Sequence, residues 1–312
     1  TGPTEGVGAT RKPAPGTTTA GRRGLGGGYR RLLAASTVSN LGDGIGTLAY
    51  PWLASAVTRN PLLIALVVVL QRLPWLVVSL PAGVVADRYD RARVMFLANL
   101  TRAGLTAVVA AAVLARQDAL PSPDELQADV SPVAGTDVSL YLLLCLATLL
   151  LGIGEVLYDN AAQSFLPRLV PPEQLEKANG RLWSAEQIAN AFVGPPLGAW
   201  LLLGVFALPF LVDAVTFTVS AALIASIAPT GSRTGPRADG AKRSRTAAGA
   251  PTWRADIAEG FRWLWQNEFL RSLAIILGLL NMLFTMGAAS LVLFAQEELG
   301  TSPGEFAALT IV

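Results

Sequence analysis

Five ionisable side chains are the candidates for chemistry inside segments of the sequence that are otherwise almost entirely apolar. They are Asp43, Arg72, Arg102, Glu155 and Asp213. A charge at the centre of a bilayer costs at least about 2.5–3.5 kcal/mol, so each such residue needs either a partner or a function. A buried carboxylate can carry a proton or contact a cation, and a buried arginine can neutralise such a carboxylate. Proton transfer, cation binding and structural ion pairing are therefore the candidate chemistries.

The segments that carry these residues are long enough to cross a membrane. A crossing helix needs about 20 predominantly apolar residues. The 312-residue chain is 52% hydrophobic and only 15% charged, with a mean hydropathy of +0.47, which argues against an ordinary soluble domain. We predict seven spans and the start of an eighth near Gly304; the seven are Leu32–Val57, Leu62–Ala86, Val94–Ala115, Val138–Tyr158, Leu182–Leu203, Val205–Ile227 and Ser272–Ala295.

The basic residues predict the orientation of the chain, because Lys and Arg are retained on the cytoplasmic side. With a cytoplasmic N-terminus, only Arg59 and Arg116 face outside, and Arg72 and Arg102 lie within spans. We therefore expect a multi-pass protein of the cell (inner) membrane, with the lipid bilayer as a partner.

Composition divides the chain into four predicted units. A linker rich in Pro, Gly, Ser and basic residues follows the sixth span, and Trp253, Phe261 and Trp265 then recur at the spacing of an interfacial amphipathic helix. Six spans, a linker and further spans are the layout of a transporter with two similar halves, so we expect an incomplete chain. The units are a disordered cytoplasmic tail (1–30), a six-span bundle (31–228), the linker with its helix (229–268) and the start of a second bundle (269–312).

Several classes of protein are disfavoured by what the sequence lacks. There is no histidine, and the one cysteine, Cys145, lies in a predicted span, so we expect neither a metal site nor a cofactor. The sequence also has no P-loop and no Ser-His-Asp set, which argues against an enzyme. No basic helix or exposed aromatic platform indicates a nucleic-acid partner.

A dense cluster of charges lies in the short loop between the second and third predicted spans. Its members are Gly83, Asp87, Arg88, Arg91 and Arg93. The simplest interpretation is that positive charge keeps this loop in the cytoplasm. Alternatively, Asp87 accepts hydrogen bonds from the positive N-terminal ends of helices in the opposite half. Arg91 and Arg93 can then pair with Asp159, at the cytoplasmic end of span four.

A second motif, Gly194-Pro195-Pro196-Leu-Gly198, lies in the fifth predicted span. Proline removes a backbone donor and clashes with the preceding turn, so the motif predicts a kink. Its glycines can equally form a notch for close helix packing. The two interpretations are compatible.

These motifs give the sequence a resemblance to the major facilitator superfamily. Gly83, Asp87, Arg88 and Arg91 occupy positions of that family's loop signature, and the Gly194 motif is similar to the signature of its antiporter, or exporter, branch. The loop signature departs from the family at Asp90 and Ala92, where a glycine and a basic residue are usual.

Three shorter stretches extend the resemblance towards siderophore exporters and macrolide efflux proteins. They surround Asp43 in span one, Asp213 in span six, and Glu259 before span seven. Span four lacks the arginine that many proton-coupled drug exporters carry there, which is a departure from the family pattern. The implied fold is an all-α polytopic membrane protein: a six-helix N-terminal bundle, span seven and the start of span eight.

The resemblance implies a monomeric secondary transporter that exports small organic compounds by proton antiport through alternating access. In that family the Asp87 cluster latches the two halves together and the Gly194 kink helps to seal the cavity. Asp43 is the first candidate proton carrier. An importer or facilitator of the same fold, and a non-transporting scaffold or receptor, stay open as alternatives.

Pairing among the buried charges is predicted only from depth. Asp43 lies about 12 residues after Arg31, hence roughly 18 Å into its span at 1.5 Å per residue. Arg72 has a similar depth, so a structural Asp43–Arg72 ion pair is the alternative to a proton carrier. Arg102 and Glu155 are a second predicted pair. Asp213 is expected to cap or pair near the outer leaflet.

Overall fold

The computed structural model describes residues 2, 25–58, 60–120, 136–203, 205–227, 253–280 and 283. All regular structure in these ranges is helical, which confirms the predicted all-α fold. Most of the predicted tail (1–30), residues 228–252 of the predicted linker and most of the chain after residue 280 lie outside the described residues.

Helix α1, Gly27–Val57, covers the first predicted span and lies at the centre of the bundle. It packs against most of the other helices, and its buried residues include small polar ones such as Ser36 and Ser39. These polar residues face protein partners, so α1 can carry them within the bundle. The helix ends at Thr58, whose extended backbone stops the helical hydrogen-bond pattern.

The second predicted span is divided into α2, Pro61–Val77, and α3, Ser79–Arg88, which meet at an angle of 54°. Asn60 caps α2 by accepting a hydrogen bond from the Leu62 amide at 3.0 Å. The bend follows from Pro81. Its ring clashes with the carbonyl of Val77, four residues earlier, and its nitrogen carries no hydrogen to donate to that carbonyl.

Among the described residues, three helices are each long and apolar enough to cross a membrane, and the bent α2–α3 pair makes a fourth if it is one span. The three are α4, Arg91–Leu114; α5, Val138–Leu169; and α8, Ala207–Ala225 (α6 and α7 are given below). They cover the third, fourth and sixth predicted spans. Asp90 caps α4 through a 2.9 Å hydrogen bond from the Arg93 amide.

Helix α5 begins at a polar anchor built around Asp137. The Asp137 carboxylate accepts hydrogen bonds from the Ser139 hydroxyl at 2.7 Å and from the Leu140 amide at 3.1 Å. It also pairs with Arg116 at 3.1 Å. The Ser139 hydrogen bond, the Leu140 amide and Arg116 hold the pKa of Asp137 below its ordinary value of 3.8.

Replacing Asp137 by alanine is expected to destabilise the protein by about 0.5–2 kcal/mol, the usual effect of losing an N-cap. Because the folded-state pKa is lowered, the stabilisation is present above the unfolded pKa and is lost as pH falls through the folded pKa. Thermal unfolding of the wild type and of Asp137→Ala between pH 7 and about pH 2 tests this expectation. A stability difference that grows as the pH falls would contradict it, and Asp118→Ala is the exposed control.

The fifth predicted span, Leu182–Leu203, is not one continuous helix. A 3₁₀ turn leads into α6, Leu175–Gln187; a π turn covers Ile188–Val193; and α7 is Gly194–Leu202. Pro195 and Pro196 occupy the first turn of α7, where their missing amide donors do least harm. The wider π turn joins α6 to α7 immediately before them.

After residue 252 the structure describes α9, Trp253–Gln266, and a further helical stretch at 268–280. α9 lies at the position of the predicted amphipathic helix. The rings of Phe261 and Trp265 stack on it with centroids 5.5 Å apart, and both side chains are exposed. The seventh predicted span, Ser272–Ala295, lies only partly within the described residues.

The core of the bundle consists of two apolar clusters along its length. One includes Leu53, Val109, Leu144 and Phe210; the other includes Leu32, Met95, Phe165 and Ile224. Each cluster takes residues from α1, α4, α5 and α8. Buried polar and charged residues lie between the two clusters along these helices: Ser39 on α1, Asn99 and Arg102 on α4, and Ser220 on α8. Asp213 of α8 is also buried and lies within the part of α8 that belongs to the first cluster.

Candidate functional site

Among the polar residues inside the bundle, Arg102 of α4 forms an ion pair with Asp43 of α1. The Arg102 guanidinium donates a hydrogen bond to the Asp43 carboxylate, and Arg102 is 1% exposed. The Asp43–Arg72 pair predicted from depth is wrong, because Arg72 is exposed on α2. Arg72 and Arg102 lie at similar depths along their helices, but only the Arg102 side chain points into the bundle.

The rest of the Arg102 side chain is held by α1, α4 and α8 together. Its guanidinium donates to the Ser39 hydroxyl and to the Asn99 side-chain oxygen, both at 3.3 Å. It also lies 3.9 Å from the centroid of the Phe217 ring, a cation–π contact. Asn99 in turn donates to Ser220 at 2.7 Å. The guanidinium is therefore fixed between helices.

Beside the ion pair lies a small cavity of about 10 Å³, which is room for about one water molecule. Three carboxyl groups line it, those of Asp43, Glu155 and Asp213. Arg102 and Tyr50 line it as well. Within the described part of the chain, the Tyr50 hydroxyl and the Arg102 Nε are buried polar atoms without a hydrogen-bond partner. Such atoms are suited to hydrogen bonding with a bound water molecule.

Asp213 of α8 belongs to this site and is not the isolated cap or pair expected near the outer leaflet. It is 2% exposed, and its carboxylate accepts a 3.4 Å hydrogen bond from the Thr216 hydroxyl. A Cβ added to Gly42 would collide with this carboxylate, so α1 passes directly against it one residue before Asp43. Its position was missed because depth along a helix does not give the direction of a side chain.

The predicted Arg102–Glu155 ion pair is also wrong. Arg102 pairs with Asp43, and the ion pairs of the described residues do not include Glu155. Glu155 lines the same cavity from α5 and is only half-buried. Sequence reasoning missed Tyr50, although it lies seven residues after Asp43 and so on the same face of α1.

A second group of polar residues lies along α1, α5 and α6. The hydroxyls of Ser36 and Tyr158 are 3.2 Å apart, and the Glu186 carboxylate hydrogen-bonds Ser36. Asp159 is half-buried next to Tyr158 in the chain. The predicted pairing of Asp159 with Arg91 or Arg93 is absent from the ion pairs of the described ranges, because Arg91 pairs with Asp87 at 3.6 Å.

The charged loop is built mainly by local contacts. Asp87 is largely exposed, with 77% of its side chain accessible, and Arg88 is the last residue of α3. Arg93 is exposed beside the cap at Asp90, and a Cβ at Gly83 would meet nothing within 4 Å. The Asp87 carboxylate therefore faces outward from the described bundle.

The Gly194 motif packs closely against α1. A Cβ added to Gly44 would lie 2.9 Å from the Cα of Gly194 and would collide with the Asn190 carbonyl oxygen. A Cβ added to Gly198 would lie 2.9 Å from the Ile45 carbonyl oxygen. The close packing predicted for this motif is therefore a feature of the structure, next to Asp43 in the chain. The helix changes from π to α geometry at Gly194, and the kink stays a prediction.

Metal binding finds no support in the described ranges, where no group of three His, Cys, Asp or Glu side chains can hold an ion. The polar groups of the site instead suit protons, water and hydrogen-bonded or charged small molecules.

Comparison with known proteins agrees with this fold. Residues 32–312 match the profile of the Major Facilitator Superfamily. The chain is 24% identical over 289 residues to an uncharacterized MFS-type transporter, YkuC, of Bacillus subtilis, which covers 89% of this chain and 58% of that protein. It is 27% identical over 253 residues to the multidrug efflux pump Tap of Mycolicibacterium fortuitum, covering 78% of this chain and 54% of Tap.

Tap of Mycobacterium tuberculosis is 26% identical over 259 residues, covering 78% of this chain and 52% of that protein. The chain thus spans about half the length of the curated relatives it matches. No solved structure matches it. The chain belongs to the Major Facilitator Superfamily, and its apolar helices make it part of a multi-pass membrane protein.

Proposed function

We propose that the full-length protein is a secondary active transporter of the cell membrane that exports small organic compounds in exchange for protons. The observation that carries this proposal is the buried Asp43–Arg102 ion pair beside a cavity lined by further carboxyl groups. The substrates are drugs, siderophores or metabolites. The name of the relative Tap, a multidrug efflux pump, supports export as the direction.

The ion pair supports a coupling role for Asp43 because its charge balance changes when a proton binds. Paired with Arg102, the ionised carboxylate is neutralised inside the bundle. A proton on Asp43 would leave Arg102 buried without its partner, which is costly in a membrane interior. The protein can offset that cost by changing conformation, which links proton binding to alternating access.

The two motifs away from the ion pair fit the same proposal. The exposed Asp87 carboxylate is available to accept hydrogen bonds from helices of the opposite half of a full-length transporter, as a latch. The close contact of Gly194 and Gly198 with α1 gives α7 a direct connection to the residues around Asp43. Movement of α7 would therefore act on the ion pair.

The test is proton movement by the full-length protein in sealed vesicles with an imposed pH gradient. Hydrophobic drugs and siderophores are added in turn while lumenal pH is followed. We expect at least one compound to trigger proton movement. Asp43→Asn should abolish that movement while binding of the same compound persists, because asparagine keeps the shape but cannot exchange a proton.

The exposed Arg72→Gln variant is the control and should behave as the wild type. If a compound were exported without proton movement, proton antiport would be contradicted, and transport would depend on another coupling ion or on facilitated diffusion. An absence of transport for every compound in correctly inserted protein would favour a scaffold or receptor.

A further inference from the structure

The described site contains a fully buried aspartate, Asp213, and a largely buried one, Asp43, but one buried cation, Arg102. Asp43 is paired with Arg102, whereas no described cation lies within ion-pair distance of Asp213. We propose that Asp213 is a second proton-binding residue, which exchanges with Asp43 as the partner of Arg102. This inference rests on the proposed function and identifies the group that takes part with Asp43.

Asp213 and Arg102 lie at the same site but do not form an ion pair with each other. The Arg102 guanidinium lies over Phe217, which is one turn after Asp213 on the same face of α8. Asp213 and Arg102 both line the water-sized cavity. The Arg102 Nε is buried and has no partner among the described residues, so the guanidinium has a donor left for a second carboxylate.

Asp213 also contacts α1 at Gly42, beside Asp43, and both aspartates line the same cavity. The Asp213 carboxylate and the Thr216 hydroxyl fill the space where a side chain at residue 42 would be. Gly42, where this contact is made, is the residue immediately before Asp43. Reorientation of the guanidinium within the cavity that Arg102 and Asp213 share would change its partner.

Charge balance determines which aspartate is protonated. An ionised carboxylate without a cation costs several kcal/mol in such an environment, and a single Thr216 hydrogen bond does not offset that cost. Asp213 is therefore a neutral carboxylic acid while Arg102 is paired with ionised Asp43. The other ionisable groups that face it are Glu155 on α5 and Tyr50 on α1, and neither supplies a positive charge.

The exchange conserves both charge and protons. A proton binds the ionised Asp43 carboxylate, which becomes a neutral acid and releases Arg102. The guanidinium then pairs with Asp213, which loses its own proton as it becomes ionised. One proton enters the site and one leaves it, and Arg102 is unpaired only between its release by Asp43 and its pairing with Asp213. The small cavity between the two carboxyl groups has room for the water that would carry the departing proton.

The test is infrared spectroscopy of the full-length protein at neutral pH, where a protonated carboxyl group gives a C=O band that a carboxylate lacks. Asp213→Asn is expected to remove one such band. Asp43→Asn is expected to remove the same band, because Arg102 then has only Asp213 to pair with and ionises it. Asp43→Glu restores a carboxylate partner for Arg102 and should restore the band.

Asp118→Asn, which alters an exposed carboxylate, is the control that should leave the band unchanged. Survival of the band in Asp213→Asn would overturn the proposal. Loss of the band in Asp213→Asn together with its survival in Asp43→Asn would also overturn it, since Asp213 would then be a structural acid independent of Arg102. These readouts need no substrate, so they stand apart from the transport test of Asp43.

Discussion

Arg102→Ala is expected to lower the free energy of unfolding by about 3–5 kcal/mol, the usual effect of removing one partner of a buried ion pair. The substitution leaves Asp43 charged and unpaired between α1 and α4, removes the cation–π contact with Phe217, and deprives Ser39 and Asn99 of a donor. The effect is large because the guanidinium is fully enclosed, at 1% exposure.

Thermal unfolding of the detergent-solubilised full-length protein measures this loss. Arg72→Ala is the matched control, since it removes an exposed arginine from a neighbouring helix and should change stability little. The double variant Arg102→Met/Asp43→Leu should recover much of the stability while losing proton coupling, because it removes both charges together. If Arg102→Ala were as stable as Arg72→Ala, the ion pair would not hold the bundle together.

Gly44→Ala is expected to destabilise the bundle by about 1–3 kcal/mol, the typical cost of overpacking a well-packed contact. The new methyl group would meet the Asn190 carbonyl oxygen and the Gly194 Cα. Both obstacles are backbone atoms, so no side chain can rotate away and α1 must separate from α7. The ion pair at Asp43, the preceding residue, would be displaced with it.

Gly104→Ala on α4 is the control, because a Cβ there meets nothing within 4 Å. That variant should gain up to about 1 kcal/mol, since alanine favours a helix over glycine. The measurement is the difference in unfolding temperature between the two variants, together with substrate-triggered proton movement in vesicles. Equal unfolding temperatures would show that α1 and α7 are not in close contact.

The helical fold was predictable because the apolar segments are long and the signals at their ends are local. Asn60, Asp90 and Asp137 each precede a helix that they cap, and Thr58 follows one. Membrane-length segments and caps depend only on nearby sequence. Hydropathy alone does not identify α1 as a membrane-crossing helix. The polar residues that lower the mean hydropathy of α1 are buried against other helices.

The pairing within the site was not predictable from the sequence in the same way. Depth follows from counting residues, and it correctly placed Asp43 and Arg102 well inside their helices. Which way a side chain points from its helix depends on how the neighbouring helices pack. For that reason depth did not show that Arg72 is not the partner of Asp43, or that Glu155 is not the partner of Arg102. In the charged loop, Arg91 is paired with the nearby Asp87 instead of the distant Asp159.

The π turn at Ile188–Val193 has a consequence for the evolution of this segment. A π turn holds one residue more than the α-helical turn it replaces, and each residue of an α-helix advances the chain by about 100°. Deleting a single residue here would rotate α7 by that angle and turn Gly194 and Gly198 away from α1. We therefore expect relatives with a straight fifth helix to have one residue fewer before the Gly-Pro-Pro motif.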